Sequence, residues 1–192
     1  VVRYVVGAVI GVLLAASAAP AHVTPPVILA SDRDAVVGLL KGAGKLFVRE
    51  VRLSPEERQA IQKQSGWSPQ EEFHRFYLGR DEQGRLVAAT IFMTDYTIHG
   101  PVRVAVGIGP DGKITGATVV ELSEETYPWL KPLLDQNFTR EYAGQDSRGR
   151  FGLSERLAGR QVQQMGQFYG QVVASLIQRG AILYEVAVLK RG

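Results

Sequence analysis

The chain has 192 residues, 45% hydrophobic and 21% charged, with a net charge of +3 and no cysteine. That length gives one domain a real core and is short for two, while the missing thiols exclude disulfides, iron–sulfur clusters, c-type haem attachment, thiolate zinc sites and cysteine catalysis. Basic residues are interspersed with acids, so there is no dense positive face for a phosphate backbone, and nucleic acid is not expected as a partner.

The first 21 residues read as a signal peptide. Arg3 is a short positive start, Val5 to Ala18 is an uncharged apolar run shorter than a membrane span, and Ala19-Pro20-Ala21 fits the small-x-small cleavage pattern. Cleavage after Ala21 makes His22 the mature N-terminus and the protein periplasmic or otherwise extracytoplasmic; an uncleaved leader is instead a membrane anchor. Residues 22–71 then form a lead-in and helical segment, and residues 72–192 the main body.

Along that chain, His22 to Pro26 is Pro-rich and extended. Asp32 to Leu40 is helix-compatible, and Leu46 to Val51 reads as a short strand or extended segment. Ser54-Pro55-Glu56-Glu57 is a strong helix start, running to about Gln64. Four strands follow: Phe73–Leu78, Leu86–Asp95, Val102–Ile108 and Lys113–Glu121, the last two joined by a turn at Pro110-Asp111-Gly112. Leu130, Leu133, Leu134 and Phe138 recur at helical spacing, and Leu157 to Tyr184 reads as one long helix with an apolar stripe. The expected fold is α+β: a single domain with a twisted antiparallel sheet, flanking helices and a long C-terminal helix.

Three motifs stand in a telling order. Val102 to Glu121 is a strand pair around Asp111-Gly112-Lys113. Glu124-Glu125-Thr126-Tyr127-Pro128 is an acidic loop, and Phe138-Thr139-Arg140-Glu141-Tyr142-Ala143-Gly144 is an aromatic segment before the final helix. Together they resemble the FMN-binding domain family, relatives of the flavin-carrying subunits of ion-translocating oxidoreductases, over roughly Phe73 to Val188. The resemblance implies an exported electron-transfer flavoprotein or redox-complex subunit rather than a stand-alone enzyme. Its partner would be a redox protein or a membrane-bound electron-transfer complex.

Many members of that family carry a hydroxyl-bearing motif before the last helix, whose threonine takes FMN as a phosphoester. Here the corresponding place reads Ala158-Gly159-Arg160-Gln161-Val162-Gln163-Gln164. Glutamine offers no alkoxide, so the resemblance implies FMN held without a covalent bond. Thr115-Gly116-Ala117-Thr118 carries the core of the acceptor motif but sits in a strand, so Thr118 reads as a strand residue. The implied cofactor-binding set is Glu125, Thr126, Tyr127, Trp129, Gly159, Arg160, Gln161 and Gln163. In it the helix start and Arg160 receive phosphate, and Tyr127 and Trp129 cover the ring. The alternative is a degenerate module that kept the fold, lost the flavin, and serves in interaction or assembly. His22 with His74 or His99 would make a copper-type arrangement, and no metal site is assigned. No catalytic triad or nucleophile elbow appears.

Overall fold

The computed structural model describes residues 25–159 and 162–190. The leader, His22, Arg160 and Gln161 lie outside them. Six antiparallel strands form one sheet in the order β1-β6-β5-β4-β3-β2. They are β1 (Pro26–Ile28), β2 (Lys45–Val51), β3 (His74–Arg80), β4 (Leu86–Thr97), β5 (Gly100–Ile108) and β6 (Ile114–Ser123). The helices are α1 (Asp32–Leu39), α2 (Pro55–Ser65), α3 (Tyr127–Asp135) and α4 (Gln164–Ala187), with a single 3-10 segment at Phe138–Tyr142. The architecture is the expected α+β domain. The segment ahead of residue 72 supplies both edges of the sheet, β1 beside β6 and β2 beside β3.

Local chemistry explains the elements. At α2 the Ser54 hydroxyl accepts from the Glu57 N–H at 3.2 Å and the Glu57 carboxylate accepts from the Ser54 N–H at 2.9 Å, a reciprocal capping box with Pro55 in the first turn. In β3 the alternation turns His74, Phe76 and Leu78 inward. The turn after β5 closes with Gly112 at φ 91°, a conformation that glycine adopts without a side-chain clash. No described helix is long and apolar enough to cross a membrane.

Helix α4 crosses one face of the sheet. Tyr169, Val173, Ile177 and Tyr184 join Phe76, Ile91, Val104 and Val106 in the main core. Contact is close at Gly180, where a Cβ would lie 3.2 Å from Val106 and 3.3 Å from Ile91. On the opposite face α1 sets Ala35 on Ala105 and Val120, and Val36 and Leu40 on Ala88. The central strand β5 is therefore buried on both sides, with Val104, Ala105 and Val106 fully enclosed.

The last helix starts seven residues later than the sequence pattern suggests, at Gln164 rather than Leu157. Leu157 and Val162 are both buried, and five residues on a continuous helix would set them about 140° apart. The Leu157 N–H donates to the Ser154 carbonyl and the Val162 N–H to the Gly159 carbonyl, and both side chains reach the core before α4 begins.

His74 is buried, and its Nε2 has no hydrogen-bond partner among the described residues. Burial pushes its pKa below the usual histidine value. Glu71 opposes this shift and Arg58 adds to it. A base whose folded pKa is depressed contributes stability above the unfolded pKa and loses it as pH falls toward the folded value. Stability is thus expected to drop as pH falls below about 6.5. In paired urea melts at pH about 7.5 and about 5.5, His74→Leu should narrow the difference between the two midpoints. An unchanged pH difference would place the acid sensitivity elsewhere.

Candidate functional site

Four segments meet at one end of the sheet: the β4–β5 turn, the acidic loop after β6, the start of α3, and the first turns of α4. Two glycines permit the approach. A Cβ on Gly100 would lie 2.8 Å from the Ser123 Cβ, and one on Gly166 would lie 2.6 Å from the Trp129 carbonyl oxygen. Gly100 also holds φ 106°, where any larger residue is strained.

Side chains tie these segments together. His99 Nδ1 lies 2.9 Å from a Glu125 carboxylate oxygen, with His99 a quarter exposed. The His99 ring stands edge-on to Trp129 at 5.0 Å and to Tyr169 at 6.2 Å. Trp129 and Tyr169 stack at 5.7 Å with their planes 18° apart. The Tyr169 hydroxyl is 3.2 Å from Thr97 Oγ1, which donates to the Gly100 carbonyl and accepts from the His99 N–H. Beneath them the buried Ser123 hydroxyl donates to Thr126 Oγ1 at 2.8 Å and accepts from the Thr126 N–H at 3.1 Å. Carboxylate contact at Nδ1 fixes the orientation of the imidazole. The result is a wall of two aromatic rings, Trp129 and Tyr169, with one anchored histidine.

The sequence-chosen residues divide. Glu125 and Trp129 belong to this cluster. Thr126 stands at the α3 N-cap position but bonds Ser123 and makes no side-chain cap. Tyr127 faces elsewhere: it lines a cleft of about 390 Å³ with Leu29, Thr118, Leu134, Phe138 and Thr139. Tyr127 and Trp129 therefore sit on different sides of α3, although the sequence reading had both cover one ring. Gly159 is exposed and precedes α4, and Gln163 is the α4 N-cap residue, also with no side-chain cap. Gln167 Nε2 donates to the carbonyls of Ala158 and Val162. Thr118 is a β6 residue opposite Ala105.

Sequence reasoning missed Thr97 and Tyr169 and read His99 only as a possible copper ligand. The local signal at His99 was the Gly100-Pro101 turn. Nothing in the apolar stripe of α4 sets Tyr169 apart from Phe168 or Val172. Among the described residues, no three His, Asp or Glu side chains gather in a metal-binding arrangement. No family model and no curated protein sequence matches the chain.

Proposed function

We propose that the protein is exported and binds FMN without a covalent bond, working as an electron-transfer module for a redox partner or a membrane-bound complex. The observation that carries this reading is the junction of the start of α3 with the first turns of α4, where the Trp129 carbonyl packs against Gly166. A flavin needs an anion site beside an aromatic wall with polar groups at its edge. The N-terminal N–H groups of α4 take no side-chain cap among the described residues and suit a phosphate. Trp129 is half-buried and offers ring surface, and His99 and Glu125 supply polar groups beside it. Bound there, FMN would supply one- or two-electron chemistry. The protein's own residues would orient it and limit water at its ring.

The second reading is a flavin-free module for interaction or assembly. One observation favours it. Trp129 already stacks on Tyr169 and Glu125 already holds His99, so the cluster is satisfied by its own members.

One measurement addresses both, on protein produced by export in a Gram-negative host. Native mass spectrometry is expected to find the chain beginning at His22 with one FMN attached. After acid denaturation the intact mass is expected to be that of the bare chain, because Gln161 and Gln163 cannot form the ester. An FMN mass that survives denaturation would overturn the non-covalent reading and direct attention to Thr118. A colourless protein that takes up no added FMN at micromolar concentration would establish the flavin-free reading, and a retained leader would defeat cleavage.

A further inference from the structure

The two edges of the sheet are built differently. β1 has three residues and follows Pro25 with a second proline, Pro26, a pattern that blocks strand addition. β2 pairs with β3 over seven residues in continuous register without a bulge. Among the described residues no strand lies on its other side, and all its residues except Val51 are exposed. It contains no proline. Leu46 is 55% exposed, Phe47 48% and Val48 56%. A small apolar groove lined by Val36, Val37, Leu40 and Leu46 continues the exposed surface onto α1. Such an edge is a template for another strand.

We propose that β2 is a self-association edge, on which a second copy of this chain adds its own β2 antiparallel across a two-fold axis. A two-fold perpendicular to the sheet keeps each face continuous, so the axis must pass through a residue. The full-length register sets Val48 on the axis. It then opposes Phe47 to Arg49 of the partner subunit, and Arg49 to the partner's Phe47.

Charge selects this register. Shifting the axis to Phe47 opposes Lys45 to the partner's Arg49, shifting it to Arg49 or Glu50 opposes that charge to itself, and shifting it to Leu46 leaves only Lys45 to Phe47 of β2 paired. In the Val48 register no like charges face each other. Arg49 forms no ion pair among the described residues. Within the chain, guanidinium groups already pack on aromatics in or beside the sheet, Arg103 over Phe92 at 4.3 Å and Arg52 over Phe73 at 4.6 Å. Phe47 already carries Arg80 over its ring at 5.8 Å, and its remaining face offers the partner's Arg49 the same contact. On the other face Leu46 and Val48 of both copies form one apolar stripe, since Leu46 lies diagonal to the partner's Val48.

The chain contains no cysteine, so one introduced thiol reports on the axis. In the full-length exported protein, Val48→Cys is expected to form a disulfide-linked dimer on mild oxidation. Tyr96→Cys, at a position 83% exposed on another part of the sheet, should remain monomeric. Wild-type protein should sediment as a dimer at about 100 µM, and Val48→Lys should weaken association at least about tenfold. The far-UV circular dichroism spectrum of that variant should be unchanged, because the side chain is exposed. Monomeric wild-type protein at that concentration would overturn the proposal and leave the edge to a strand from another protein. Cross-linking of Val48→Cys no faster than that of Tyr96→Cys would overturn it as well.

Discussion

Tyr169→Ala is expected to cost about 3–5 kcal/mol of folding free energy, the range for removing a large buried ring. Tyr169 is fully buried, stacks on Trp129, and meets Phe168 edge-on at 5.1 Å. The void left by truncation cannot close easily, because the α3–α4 approach is already at its limit where Gly166 faces the Trp129 carbonyl. Tyr169→Phe keeps the ring and removes only the hydroxyl contact to Thr97. Its expected cost is about 0.5–1.5 kcal/mol. Urea unfolding followed by tryptophan fluorescence measures both, and the difference between them separates ring packing from hydrogen bonding. If the two variants fell within about 1 kcal/mol of each other, the aromatic cluster would not be a packing centre of this end of the molecule.

The elements legible in the sequence are those whose cause is local. The Ser54–Glu57 capping box and the Pro110–Gly112 turn involve residues that meet within a few positions. The alternation in β3 to β6 needs only the period of a strand. The start of α4 was misread because the apolar run looks helical from Leu157 onward, whereas the need to bury both Leu157 and Val162 is imposed by the core. β2 read as a short strand or extended segment, because its apolar residues resemble an inward face; their exposure follows from the edge position, which pairing with β3 decides.

The candidate site divides in the same way. Glu125 and Trp129 were legible as members of a motif loop. Tyr127 was legible as an aromatic beside them, but its side of the helix depends on how α3 lies against β6. His99 and Tyr169 reach the site from elements 26 and 40 residues away from Glu125 and Trp129. No spacing rule within one chain segment connects positions so far apart, since only the folded sheet and α4 bring them together.

The split between Tyr127 and Trp129 yields the sharpest test of where a flavin would sit. If FMN binds at the start of α4 with its ring near the aromatic wall, Trp129→Ala should weaken binding by roughly tenfold, the upper worth of one aromatic contact at about 1.5 kcal/mol. Tyr127→Ala should change affinity by less than about twofold, because Tyr127 lines the separate cleft beside Thr118. Quenching of FMN fluorescence during titration gives both constants, with circular dichroism confirming that each variant is folded at the working temperature. Glu125→Gln refines the test. It removes the carboxylate that holds His99 Nδ1 without removing ring surface, so a loss there reports on the orientation of the imidazole. The reverse pattern, with Tyr127→Ala damaging and Trp129→Ala silent, would move the flavin into the Thr118 cleft. That cleft has an apolar lining from Leu29, Leu134 and Phe138 and polar groups at Thr118, Asn137 and Thr139. If wild-type protein bound FMN and neither variant changed the affinity, both locations would be excluded together.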